Sequence, residues 1–121
     1  MLWIGLLLAA ACSGAESGVR EISPESLLAN SSAETLVLDV RTPAEYASGH
    51  VPNAINIPRD EIAARLTELG DDRETPVVVY CERGGRAGKA ADILLESGYA
   101  DVRHLEGDMK AWRESGRPIE R

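Results

Sequence analysis

The chain has 121 residues, enough for one domain and too few for two, since single cores occupy about 100–150 residues. Its 44% hydrophobic and 27% charged residues are an ordinary globular balance and exclude disorder outside the ends. A formal charge of −7 excludes a general affinity for nucleic acid or anionic membrane surfaces, so any anion site has to be a local exception.

The chain starts with "MLWIGLLLAAAC". The apolar run Leu2 to Ala11 is shorter than the ~20 residues of a spanning helix and fits the ~7–15 of a signal-peptide core. It reads as an export signal. Ala9, Ala10 and Ala11 directly before Cys12 resemble a bacterial lipobox, which predicts residues 1–11 as the signal and Cys12 as a lipid-bearing first mature residue. The same triplet fits ordinary A-x-A cleavage, and no Lys or Arg precedes the run, which leaves plain secretion or an N-terminal helix lying on a membrane as alternatives. Residues 12–18 ("CSGAESG") read as a flexible tether, and residues 19–121 as the folded domain.

"VREIS" (19–23) predicts a short strand, and Ser23-Pro24-Glu25 opens a helix with Ser as cap and Pro at its first position. "TLVLDV" (35–40) is a nearly continuous apolar run, the mark of a strand buried on both faces. "TPAEYASG" (42–49) predicts a short helix from Thr42 to Gly49, and "AINIP" (54–58) a third strand. In "RDEIAARLTELG" (59–70), Ile62, Leu66 and Leu69 share one helical face. "PVVVYC" (76–81) is a second fully apolar strand. From Arg86 to Ser97, the spacing of Ala87, Ala90, Ala91 and Leu94 predicts a helix with a small-residue face. "DVRHL" (101–105) and "GDMKAWRESG" (107–116) complete the pattern as a strand and a helix. Alternating strands and helices predict an α/β fold: a mostly parallel five-stranded sheet with helices on both faces, and ligands gathered at the carboxyl ends of the strands.

Cys81 sits at one of those ends. A thiol reacts as its thiolate, and "CERGGRAG" (81–88) supplies what an anion needs. The following helix points its N-terminal amides at the loop, Gly84 and Gly85 let those amides curl inward, and Arg83, Arg86 and Lys89 add positive charge that Glu82 partly offsets. With Cys12 outside the domain, Cys81 is its single thiol, and no structural disulfide is indicated.

The same stretch resembles the active-site loop of the rhodanese family: a cysteine, a short glycine-bearing loop and a closing arginine. "LDVRTPAEYASGHVPNAINIP" (38–58) is similar to the family's D-V-R-x-x-x-E-Y-x-x-G-H-I-x-G-A-x-N-I-P signature, and "HLEGDMKAWRESGRPIE" (104–120) to its C-terminal ending. The chain departs from the pattern at Asn53, where glycine is usual, and at Asp108, in place of the second glycine of an E-G-G turn. Both residue types tolerate left-handed backbone.

The resemblance implies a thiosulfate sulfurtransferase-like enzyme in which Cys81 attacks the sulfane sulfur of a small anionic donor and holds it as a persulfide. Amides of residues 82 to 86 would stabilise the anion, with Glu82, Arg83, Gly84, Gly85 and Arg86 forming the donor site. The acceptor would be a thiol, a cyanide-like nucleophile or a thiol-redox protein, and the chemistry requires no metal or organic cofactor. One alternative is a sulfur-carrier module that receives persulfide from a protein partner. Another is a Cys-loop phosphatase of the same fold, which would need five residues between cysteine and arginine where this chain has the four from Glu82 to Gly85. Asp39 and Arg41 are expected as supporting groups, with Arg41 paired to Glu45 at i,i+4 spacing. His50 is expected to organise its loop, with His104 at the rim and Trp112 in the core. Two histidines so far apart do not make a metal site.

Overall fold

The computed structural model describes residues 18–30 and 34–121. The predicted export signal, Cys12 and the tether through residue 17 lie outside the described residues. Five strands, β1 (Arg20–Ile22), β2 (Leu36–Asp39), β3 (Ile55–Asn56), β4 (Val77–Tyr80) and β5 (Val102–Leu105), form one sheet in the order β1-β5-β4-β2-β3. Every neighbouring pair is parallel.

The helices are α1 (Pro24–Ala29), α2 (Pro43–Ser48), α3 (Gly85–Glu96) and α4 (Asp108–Glu114). The first two begin as their sequences predict. Ser23 accepts a bond from the Ser26 amide, and Thr42 and Glu45 form a reciprocal capping box, each with Pro in the first turn.

Period-two alternation sends the side chains of the apolar strands into two separate cores. Val77 and Val79 of β4 join Leu38, Val40, Ala87, Ala90, Ala91 and Leu94 on the α3 face. Val78 and Tyr80 point the other way, to Val37, Leu27, Met109 and Trp112 under α1 and α4. The alanines of α3 keep that helix close to the sheet, and Trp112 closes the opposite core, fully buried, with its indole N–H donating to the Pro118 carbonyl at 2.7 Å.

One predicted element is replaced. Residues 59–70 form two 3-10 turns, Arg59–Glu61 and Leu66–Leu69, instead of one α-helix. Of the residues on the predicted face only Ile62 and Leu69 are buried, with Leu66 half-buried. Two anchors a heptad apart give too little packing to sustain continuous helix, and Arg65 leaves the helical region at φ −120°, ψ 18°.

The strand order positions the site. From β2 the chain moves outward to β3, and from β4 it moves the opposite way to β5, so the direction reverses between neighbours β2 and β4. A crevice opens at the carboxyl ends of such a pair. Asp39 to Arg41 leave one strand there and Cys81 leaves the other.

Candidate active site

Beyond β4 the Cys81 backbone has no strand partner on its amide, and a side chain supplies one: Cys81 N–H donates to Asp108 Oδ1 at 3.0 Å. The first amides of α4 are in turn satisfied by the loop, Met109 N–H donating to the Cys81 carbonyl at 3.0 Å and Lys110 N–H to that of Glu82 at 3.1 Å. The loop is thereby fastened to α4 before it turns into α3.

Gly84 makes the turn at φ 117°, a region that a side chain would strain. A Cβ there would also lie 3.2 Å from Asp108 Oδ2 and 3.8 Å from the His104 ring. The turn delivers two amides to the sulfur: Gly84 N–H at 2.9 Å and Ala87 N–H at 3.4 Å. Against the expected cradle of residues 82 to 86, the donors to Sγ are Gly84 and Ala87. The reason is that α3 begins at Gly85, one residue before the predicted start, which turns an amide of its first turn back toward Cys81. Cys81 is only 1% exposed, so any reactant has to deliver its reacting atom into the loop.

The charges are arranged differently from the expected pairing of Arg41 with Glu45. Arg41 precedes the Thr42 cap, so helical i,i+4 geometry does not reach it, and its guanidinium turns inward. It meets Asp39 at 2.8 Å, the Gly49 carbonyl at 2.7 Å and Glu82 at 3.4 Å, and is 1% exposed. Burial works against its charge and the Asp39 carboxylate outweighs it, holding the guanidinium above its ordinary pKa. Asp39 also accepts from the Arg41 amide at 2.9 Å and from the Tyr80 hydroxyl at 2.7 Å. Burial, then the Asp39 charge, drives that phenol's pKa up.

Glu45 pairs instead with Arg86, in a two-bond fork at 2.6 and 3.0 Å that ties α2 to the start of α3. The Arg86 hydrogen bonds hold the Glu45 carboxyl down at about 2. Arg86 is raised in return, chiefly by Glu45, with the Cys81 sulfur among the smaller causes. Glu82 is lowered by its bonds to Arg113. Arg83 is exposed and has no ion pair among the described residues. The resemblance implies that both arginines serve an anionic donor; among the described residues Arg83 has no ion pair, and Arg86 is committed to Glu45.

His50 is 6% exposed, stacks on Tyr46 with centroids 3.7 Å apart and bonds the Tyr46 carbonyl through Nδ1 at 2.9 Å. Its backbone bridges Glu120, so it organises the loop before β3. Asn53 and Asp108 adopt left-handed backbone at φ 67° and 55°. What the sequence does not disclose is where the Asp108 side chain goes: to the Cys81 amide and to His104 Nε2, at 2.9 Å through Oδ1 and 3.0 Å through Oδ2. A short acidic residue at a turn position beside a strand end was the available signal.

The bond from Asp108 raises His104 to about 9. This folded value exceeds the ordinary 6.5, so the stabilisation is complete below about pH 6.5 and is lost as pH rises through about 9. Urea midpoints should therefore fall between about pH 6 and about pH 10, with a shallower fall in His104→Gln. Equal slopes in the two proteins would show that the His104 bonds contribute no stability.

A doubly covered parallel sheet, a cysteine at its topological switch point and inward amides at the following helix define a Cys-loop α/β protein. The Rhodanese-like domain family model matches residues 23–115, and the chain belongs to that family. A sulfurtransferase of Allochromatium vinosum is 41% identical over 104 residues, covering 84% of this chain and 94% of the relative. The thiosulfate sulfurtransferase PspE of Escherichia coli is 41% identical over 70 residues, 58% of this chain and 67% of that one. The crystal structure of a rhodanese-related protein from Thermoplasma volcanium superposes with a TM-score of 0.73 at 32% identity, covering 84% of this chain and 97% of that one.

Proposed function

We propose that the chain is a sulfurtransferase that carries sulfane sulfur on Cys81. The observation that carries this reading is the Cys81 sulfur itself, held at the end of β4 with two amide donors at 2.9 and 3.4 Å and placed to accept negative charge. In the loading step the Cys81 thiolate attacks the outer sulfur of thiosulfate, the S–S bond of the donor breaks, and sulfite leaves with the electron pair. Cys81 becomes a persulfide anion. A nucleophile such as cyanide or a thiolate then takes the outer sulfur and returns the thiolate, so charge balances in both steps. Four residues between Cys81 and Arg86, with amides converging on Sγ, suit a single added sulfur better than a phosphate.

In this reading Arg83 draws in the dianionic donor and Arg86, fixed by Glu45, shapes the loop. Arg83→Glu should raise KM for thiosulfate roughly 3–10-fold with a smaller loss in kcat. Arg86→Ala should lower kcat more, because it removes the fork between α2 and α3. Steady-state kinetics at low salt are the test; unchanged KM in Arg83→Glu would make that side chain mere solvated surface.

We also place the protein in the cell envelope, anchored by lipid on Cys12, a proposal supported by the apolar run and the alanines before that residue. Labelled fatty acid should enter the wild-type protein in a bacterial host and not Cys12→Ser. Absence of label from both would remove the anchor from the account.

A further inference from the structure

The Cys81 sulfur has a neighbour that an anion cradle does not call for. Asp108 Oδ1 lies 3.7 Å from Sγ, on a side chain only 3% exposed. The same carboxylate is bonded to His104 Nε2, and His104 Nδ1 meets Glu21 Oε1 at 3.0 Å. Sulfur, carboxylate, imidazole and carboxylate thus form a continuous chain from the buried thiol toward solvent, with His104 21% and Glu21 56% exposed. It opens on a surface recess of 410 Å³ bordered by Glu21, Gly84, Lys89, Asp92 and His104.

The charged groups on this side are few. β1 contributes Glu21, α3 contributes Lys89 and Asp92 along the recess, and α4 contributes Asp108, while β4 is uncharged from Val77 to Tyr80. Toward the sulfur itself the cation that senses its charge is Arg86, already forked to Glu45, and Asp39 and Arg41 neutralise each other.

A carboxylate this close favours the protonated thiol, because the thiolate would add a second negative charge beside it. An imidazolium bonded to that carboxylate cancels the penalty. We propose that the Asp108–His104 pair sets the ionisation of Cys81: with His104 protonated the pair is net neutral and the thiolate forms, and with His104 neutral the uncompensated carboxylate holds the proton on sulfur. Asp108 touches the reacting atom, whereas His104 is a positioning residue that acts through it. Each ionisation releases one proton to solvent and consumes nothing else. The inference rests on Cys81 being the nucleophile. His104, lifted to about 9, loses its proton in the alkaline range where free thiols also do.

Alkylation by iodoacetamide tests this without any sulfur donor. In the full chain carrying Cys12→Ser, Cys81 is the single thiol, and its alkylation rate is followed by mass spectrometry from about pH 5 to about pH 11. His104→Gln should move the midpoint up by about one pH unit, and Asp108→Asn, which removes the carboxylate together with the charge that compensates it, should leave it near the parent value. His104→Gln should add nothing once Asp108 is Asn. The parent curve should be broader than a one-proton titration and should sharpen in His104→Gln. Should Asp108→Asn fail to fold, Asp108→Gly, which accepts φ 55° without strain, takes its place with the same expected midpoint. Coincident midpoints for the parent and His104→Gln, or an upward shift from His104→Gln that persists without Asp108, would overturn the proposal. Shifted midpoints in a protein that loads no sulfur would overturn the sulfurtransferase reading alone, and sulfur loading with coincident midpoints would overturn only the role given to Asp108 and His104.

Discussion

Cys81→Ser should reduce thiocyanate formation from thiosulfate and cyanide to the uncatalysed background, a loss of more than about 1,000-fold. The sulfur is the only atom in the loop that can hold a sulfane sulfur covalently. A serine hydroxyl in its place would still face the Gly84 and Ala87 amides, which now lie 2.9 and 3.4 Å from the sulfur. Its far higher pKa keeps it protonated, and two amide dipoles do not overcome that difference. The fold should survive, since the change is nearly isosteric and the Cys81 amide keeps its bond to Asp108. Thermal unfolding close to wild type beside absent turnover is the expected combination. Turnover retained in Cys81→Ser would assign the chemistry to another group.

Arg41→Ala should be the most damaging substitution for stability, at about 3–5 kcal/mol, or roughly 10–20 °C in Tm. Arg41 and Asp39 are 1% and 0% exposed, and removing the guanidinium leaves a carboxylate in the interior whose remaining side-chain partner is the Tyr80 hydroxyl. It also frees the Gly49 carbonyl, now 2.7 Å from Arg41 Nη2, at the turn that leads to His50. Part of the cost belongs to the stranded charge and not to the pair, so Asp39→Asn in the same chain should restore about half of it. Urea unfolding of the two single variants and the double variant gives the coupling directly. A loss below about 1 kcal/mol for Arg41→Ala would mean that water reaches Asp39 and that the pair is not buried in solution.

The layout of the sheet was legible because its central strands are so apolar. Runs such as 36–39 and 77–80 have few alternatives to a doubly covered strand, and Ser23-Pro24 and Thr42-Pro43 mark helix starts without help from tertiary contacts. Strand ends shift by at most two residues, most at 54–58, where only Ile55 and Asn56 pair with β2. The 59–70 segment misled because an apolar residue every three or four positions serves 3-10 turns as well as an α-helix, and burial decides between them. Cys81 and the glycines beside it were readable as a local unit.

The partners of that unit were not readable locally. Glu45 and Arg86 are 41 residues apart, and Asp108 reaches Cys81 across 27. Which carboxylate takes which guanidinium depends on β4 lying between β2 and β5, an order that periodicity cannot supply. Local spacing favoured Arg41 with Glu45; the Thr42 cap, which ends helical geometry before Arg41, favoured Asp39.

Whether Cys81 carries transferable sulfur, as proposed, is decided by intact-mass measurement. The full chain with Cys12→Ser, incubated with thiosulfate and freed of excess donor, should gain the mass of a single sulfur atom, located on the peptide containing Cys81 and removed by cyanide as thiocyanate. Gain only from a persulfidated protein partner would make the chain a carrier. No gain from any donor, with hydrolysis of an aryl phosphate abolished by Cys81→Ser, would contradict the account and show that the four residues from Glu82 to Gly85 suffice to cradle a phosphate.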